Sequence, residues 1–242
     1  MGETTLTILA LDPDFAAVWK PAGFHVHQPE RPRPRVDSNI VCLSILRDQI
    51  GRRVHPVHRL DVPTAGVLLF ALNPEAASLL GRSFSERCGV VKTYFAIVRG
   101  FAPDEGVIDE PLMSDSSDRM VEALTRFRTC ARVQLERRFG KRDLPARFSL
   151  AQAMPETGRF HQIRRHFARL AHPLVGDSEH GDSHQNRFFR EEMGVRGLML
   201  QARRLEFPHP RSREAVSVQA PWSEAWLAAA RALGWESELD GL

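Results

Sequence analysis

The sequence predicts an α+β fold, and three observations lead there. Apolar stretches of strand length and amphipathic stretches of helix length both occur. They do not alternate regularly, as a doubly wound parallel sheet requires. No repeat or interdomain linker separates them, so a single domain over 1–242 is expected. With 242 residues, 43% hydrophobic and 26% charged, the chain can bury a core without disulfide staples. The longest apolar run, Ala65 to Leu72, has eight residues, well short of the ~18 that a membrane helix needs. The three cysteines, Cys42, Cys88 and Cys130, form no CxxC pair, which argues against a zinc knuckle and a disulfide framework. The start, MGETTLTILALD, has no basic segment of the secretory kind, and a cytoplasmic protein is expected.

Taken in order, residues 6–27 read as a strand pair ending in the Lys20-Pro21-Ala22-Gly23 turn. Gln28 to Asn39, with Pro29, Pro32 and Pro34, is expected to be a surface loop. A helix follows from about Ile40 to Ile50, capped by Ser38 or Asn39 and stopped by Gly51. Val57 to Leu60 leads into a turn at Asp61 to Thr64, then a buried strand over Ala65–Leu72. Asn73 and Pro74 start the next helix, whose Ala76, Leu80, Phe84 and Cys88 share a face before Gly89 ends it. Lys92 to Val98 is β-rich, 103–125 reads as mostly loop, and strands are expected near 126–135 and 147–154. A helix over 160–170 places Phe160, Ile163, Phe167 and Leu170 on its apolar side, with His161, Arg165 and Arg169 opposite. Two short strands and a helix from Ser223 to Leu233, stopped by Gly234, complete the chain.

Net charge is only +3, but of 33 basic residues just Lys20, Lys92 and Lys141 are lysines. Arginine's planar fork suits phosphates and bases. Arginines crowd between Arg126 and Arg147 and again over Arg159, Arg164, Arg165 and Arg169, a footprint that fits a polyanion. Two segments concentrate chemistry. His58-Arg59-Leu60-Asp61-Val62-Pro63-Thr64-Ala65-Gly66 puts a carboxylate at the mouth of a buried strand, where it can be held rigidly and still reach a ligand. Read alone, it is also an ordinary turn. Thr157 to His166 opens a helix rich in donors, the kind of end that phosphates favour.

Together and in this order, the two segments resemble the RluA family of pseudouridine synthases. Its motifs are HRLD before an apolar strand, GR-x-HQ-[IL]-R-x-H, and a His-Pro-[IL]-[IV]-Gly-Asp run. The last is matched here by His172-Pro173-Leu174-Val175-Gly176-Asp177. The Lys20 to Gly23 turn and the K-x-Y-x-A-x-V-x-G stretch from Lys92 to Gly100 also fit, so the likeness covers residues 7–210. Departures are Ala65 for the usual Ser, Phe160 at a commonly polar place and Gln201 for a usual His.

The resemblance implies one catalytic domain built on a long, mixed, mainly antiparallel sheet flanked by helices and loops. It implies conversion of uridine to pseudouridine in RNA with no cofactor and no metal, since no group enters or leaves. Asp61 would be the catalytic carboxylate, attacking the ribose C1′ or promoting elimination to a glycal. Arg164 would be its cationic partner, and Tyr94 would stack on uracil and help take the C5 proton. Arg59 would enter the stack vacated by the flipped base. His58, Arg159, His161, Gln162 and Arg165 would contact the RNA. The continuation Gly176 to Asp182, then Asn186-Arg187, matches the branch of the family that modifies uridine 65 of tRNA. Ribosomal RNA is the second expected substrate, and a monomer without an obligate protein partner is expected.

Two rivals differ in class. One is a metal-dependent hydrolase drawing on the ten histidines, with His55, His58, His172, Asp177, His180, Asp182 and His184 as ligands. No HExxH pattern supports it. The other is a non-catalytic RNA-binding protein, which the basic patches alone would serve, and against which stand Asp61 and Tyr94.

Overall fold

Apolar residues at strand spacing and capped amphipathic segments organise the chain in a computed structural model that describes residues 4–29, 36–139 and 144–242. In chain order the first half forms β1 (Ile8–Leu11), β2 (Phe15–Lys20), α1 (Cys42–Ile50), β3 (His55–Pro56), β4 (Ala65–Ala71), α2 (Pro74–Ser85), β5 (Val91–Arg99), β6 (Glu105–Asp109), β7 (Leu112–Met113) and β8 (Met120–Val121). The second half forms β9 (Leu124–Phe139), β10 (Leu144–Pro155), α3 (Gln162–Arg169), α4 (Ser183–Glu192), β11 (Leu200–Pro208), β12 (Ala215–Gln219), α5 (Glu224–Leu233) and α6 (Glu236–Asp240). This is the α+β class expected. No helix among the described residues is long and apolar enough to cross a membrane. The chain divides into two compact units, residues 1–92 with 202–221, and residues 93–201 with 222–242.

In the first unit, β4 is buried along its whole length, as its unbroken apolar sequence demands. Its antiparallel partner β2 pairs Phe15 with Ala71 and Lys20 with Gly66, and β1 covers the far side of β2. Gly66 has φ +133, and a Cβ there would lie 2.1 Å from the Ala202 carbonyl oxygen. Only glycine lets these backbones approach so closely. Leu80 and Ala76 of α2 pack with Leu69, Val67, Leu205 and Phe207. Asn73 caps α2 by accepting the Ala76 N–H, as its sequence predicts, but the helix ends at Ser85, before Cys88. Helix α1 begins at Cys42 after a 3-10 turn over Ser38–Ile40. Asp37 caps that turn, so neither Ser38 nor Asn39 caps the helix. Residues 30–35 of the expected loop lie outside the described residues.

In the second unit, β5, β10, β9 and β6 lie side by side and antiparallel. Strand alternation sorts the two faces of β5. Phe95 and Ile97 join Phe148, Leu150, Phe188 and Phe189 of α4, and Trp226 and Leu233 of α5. Ala96 and Val98 join Ile163 and Phe167 of α3, with Tyr94 packed against the same cluster. Fully burying a side chain such as Phe167 contributes about 1.5–3 kcal/mol, so α3 is anchored by its apolar stripe.

The structure departs from the sequence expectation in three further places. The stretch 103–125 contains β6 and the small β7–β8 pair. The hairpin of β9 and β10 is longer than 126–135 and 147–154. Phe160 is 39% exposed while His161 is 7% exposed, the reverse of the predicted helix faces. The helix starts only at Gln162, and His161 sits in the left-handed region at φ +52, so helical periodicity does not extend back to either residue. Of the basic run, Lys141 and Arg142 lie outside the described residues.

Candidate active site

In the first unit the motif residues form a tight turn ahead of β4. Thr64 N–H donates to the Asp61 carbonyl at 3.0 Å, closing the turn, and Leu60 beneath it is buried. The turn is held from below by Lys20, to which the motifs alone assign no role. Its side chain is fully buried, and register places it beside Gly66 at the entry of β4. The Lys20 ammonium donates to the carbonyls of Pro21 at 3.0 Å, Val62 at 3.0 Å and Thr64 at 2.8 Å. Gly23 N–H also donates to the Val62 carbonyl. Two of the ammonium's three bonds thus fasten the backbone on the C-terminal side of Asp61 and the third ties it to Pro21, while Asp61 itself stays half-buried. Burial pulls the Lys20 ammonium down to about 8, opposed by the nearby Cys42 and Asp61 charges.

Flanking residues divide by exposure. Arg59 is exposed, and Val62 is 37% exposed. His58 turns inward. Its ring stacks on Phe84 at 5.1 Å, and its Nε2 accepts the Leu69 N–H at 3.0 Å. Burial, helped by the Lys92 charge, pushes His58 down to about 3, so the ring is neutral and serves as an acceptor for the β4 backbone.

In the second unit, Tyr94 opens the face of β5 on which α3 packs, so that sheet face carries both Tyr94 and the helix of Arg164. Gln162 fixes the helix entry. Its Oε1 accepts from Thr157 Oγ1 at 2.5 Å and Arg159 N–H at 3.0 Å, and its Nε2 donates to Leu124 O and Thr125 Oγ1, both at 3.0 Å. His166, one turn on, is buried between Thr125 Oγ1 and the Glu110 carbonyl. Burial lowers its pKa. Arg159 is exposed and donates to Glu122 O at 2.8 Å. Arg165 is half-buried and reaches Met113 O at 2.9 Å.

Arg164 is 2% exposed. Its Nε and Nη2 each meet an oxygen of Asp177 at 2.7 Å, and Nη2 also meets Glu179 Oε1 at 3.2 Å. This bidentate fork sets the guanidinium plane. Burial pushes the Asp177 carboxyl up, but Arg164 and the N–H groups of His180 and Glu179 outweigh it and hold it below the usual value. Motif reading missed Asp177 and Glu179 as partners of Arg164, although the Gly176-Asp177 pair in the later motif was a signal. Among the described residues, side chains that gather like metal ligands are His161 with Glu179 and His180, and Asp12 with Asp14 and His209. Of the hydrolase set only His180 belongs to either group.

Comparison with known proteins shows the family. The family model described as RNA pseudouridylate synthase matches residues 14–169. The chain is 41% identical to tRNA pseudouridine synthase C of Salmonella typhimurium, over 97% of this chain and 92% of that one. It is 41% identical to the Pasteurella multocida protein of the same name, over 96% and 98%, and 40% identical to that of Vibrio parahaemolyticus, over 99% of both. Among solved structures, human RNA pseudouridylate synthase domain containing 1 superposes with a TM-score of 0.69 at 25% identity, covering 93% of this chain and 89% of that one. Human RNA pseudouridylate synthase domain containing 4, at 22% identity and the same TM-score over 94% and 93%, shares the fold. The chain therefore belongs to the RNA pseudouridylate synthase family, and it is an isomerase that turns uridine in RNA into pseudouridine.

Proposed function

We propose that the RNA is tRNA and the target uridine 65, with Asp61, Tyr94 and Arg164 as the catalytic residues. We take the chain to act in the cytoplasm as a monomer, with 1–242 as one catalytic domain. The observation that carries the tRNA reading is about 40% identity sustained over nearly the full length of several proteins named for tRNA.

The reaction breaks the bond from uracil N1 to ribose C1′ and joins C5 to C1′ instead. The proton on C5 leaves and N1 gains one, so the product is an isomer. Asp61 is assigned the carboxylate that either bonds to C1′ or takes a ribose proton to open a glycal. A turn pinned through its carbonyls supports that assignment, because a reacting carboxylate needs a fixed origin. Tyr94 is assigned to stacking on the uracil and to removal of the C5 proton; it is the chain's single tyrosine. Arg164 is assigned the positive charge that accompanies the Asp61 carboxylate, and its fork on Asp177 favours one fixed orientation.

The base must leave its stack, at a cost of a few kcal/mol. The exposed Arg59 guanidinium suits the gap, since its plane substitutes for a base. Arg159 and Arg165 are assigned phosphate or ribose contacts. His58, His161 and Gln162, with their inward bonding, are assigned a place behind that surface, keeping its backbone in position.

The test is to map pseudouridine by carbodiimide chemistry in RNA from cells with and without the gene. Loss at tRNA position 65 is expected. Loss at a ribosomal position with tRNA intact contradicts the substrate. Activity that disappears with chelator and returns with metal contradicts the cofactor-free chemistry.

A further inference from the structure

The segment that follows the partner of Arg164 gathers three metal-ligating side chains that the proposed reaction does not need. Asp177 Oδ1 accepts the N–H groups of Glu179 at 2.9 Å and His180 at 3.0 Å, so the backbone carrying both residues is set by a buried carboxylate. His161 approaches from the entry of α3, in a left-handed backbone at φ +52. A non-glycine residue in that region is uncommon, and such outliers cluster at functional sites. The ring of Phe160 stacks on the His161 ring, centroids 3.7 Å apart, and fixes its orientation.

The donor atoms converge. His161 Nδ1 lies 3.1 Å from His180 Nε2 and 3.7 Å from Glu179 Oε2, and one ligand atom from each residue falls within 4.8 Å of the others. Ligands on a tetrahedral ion with bonds of about 2.0–2.1 Å stand about 3.3 Å apart. The imidazole pair is slightly closer than that, the Glu179 oxygen stands slightly farther from His161, and all three ligand atoms lie within 4.8 Å of one another, so side-chain adjustment without backbone rearrangement is enough to bring them round one ion. Two imidazoles and one carboxylate suit zinc-like ions rather than magnesium or calcium, which prefer all-oxygen shells. Glu179 uses its other oxygen, Oε1, on Arg164 at 3.2 Å, the kind of outer bond that orients a ligating carboxylate.

We propose that His161 Nδ1, Glu179 Oε2 and His180 Nε2 bind one divalent transition-metal ion of the zinc type, with a fourth position open to water. Without metal, one of the two facing nitrogens carries a proton and donates it to the other. Binding requires both lone pairs, so that proton moves to the far nitrogen of its own ring. The second gathering of ligand atoms, Asp12, Asp14 and His209, carries less, because Arg211 already pairs with Asp14 at 2.6 Å.

The test is titration of chelator-stripped protein with Co2+, whose four-coordinate complexes absorb visible light, followed by displacement with Zn2+. Wild type is expected to take up one Co2+ per chain with that absorption and to release it to zinc. His180→Ala and His180→Gln are expected to weaken uptake by more than about a hundredfold, and His184→Ala, which changes a histidine outside the cluster, to leave it unchanged. No such absorption in wild type, or equal affinity in both His180 variants, overturns the site. The readout is binding, so it stands apart from any result on the RNA target.

Discussion

The turn after Asp61 and the helix of Arg164 are both held rigidly, but by different means. In the first unit one buried ammonium grips the backbone carbonyls of Pro21, Val62 and Thr64, and the side chains on those residues do little of the holding. In the second unit, side chains hold side chains: Asp177 forks onto Arg164, and Gln162 and His166 bond to Thr125. Backbone anchoring tolerates sequence change at the anchored residues and depends wholly on the anchor. Side-chain anchoring depends on every member, because removing one leaves a buried charge or donor unmatched.

The largest effect expected from this contrast comes from Asp177→Asn. Arg164 would keep its charge in a buried place and lose its bidentate partner, with the Glu179 contact remaining, at a cost of up to roughly 3–5 kcal/mol. Denaturant unfolding measures it, and a loss below 1 kcal/mol would place most of the support for Arg164 elsewhere. Lys20→Met comes next, at about 2–3 kcal/mol for charge-assisted hydrogen bonds lost on one side. Its kcat should fall more than its KM rises, since the turn loosens while the RNA surface stays.

A third effect is a pH dependence. His58 has its folded pKa at about 3, below the 6.5 of a free imidazole, so between those values the unfolded chain binds the extra proton. Stability is therefore full above about pH 6.5 and falls as pH drops toward 3, by at most about 1.4 kcal/mol per unit. Unfolding measured at pH 7 and pH 5 should show a drop that shrinks in His58→Gln. The smallest effect is expected from Val62→Ala, within about 0.5 kcal/mol, because Val62 contributes its carbonyl while its side chain lies at the surface, 37% exposed. A large loss there would break the contrast between the two anchoring modes.

The parts of the fold legible in the sequence are those where one local rule dominates. The unbroken run from Ala65 announces β4, Asn73-Pro74 announces α2, and Gly234 ends α5 with a left-handed cap at φ +69. Helix α4, with sequence SHQNRFFREE, stayed hidden because only Gln185, Phe188 and Phe189 are buried and its polar residues resemble a loop. Asp182, which caps it by accepting the His184 and Gln185 N–H groups, was the available signal. Strands β6 to β8 are short and mostly exposed, so alternation had little length in which to register. The exchange of Phe160 and His161 shows another limit: a single left-handed residue resets the phase of a helix, and no periodicity records it.

For the candidate site, motif order rather than periodicity is what proposes Asp61, Tyr94 and Arg164, since the turn before β4, strand β5 and helix α3 each carry one of them. The supports of the site were less legible. Lys20 reads as part of a Lys-Pro turn, and its reach of more than 40 residues to Val62 and Thr64 exists only once β2 and β4 pair. Asp177 reads as a loop acid until the helix of Arg164 is placed above it.

The proposed role of the Asp61 carboxylate is to carry out the isomerisation on tRNA. Its most direct test is incubation of purified wild-type and Asp61→Asn protein with unmodified tRNA, measuring pseudouridine formed and tRNA bound in the same samples. The predicted result is product with wild type, none with Asp61→Asn, and binding equal within about twofold, since the amide keeps the carboxylate's shape without its charge or basicity. Pseudouridine formed by Asp61→Asn at a rate near that of wild type would contradict the claim.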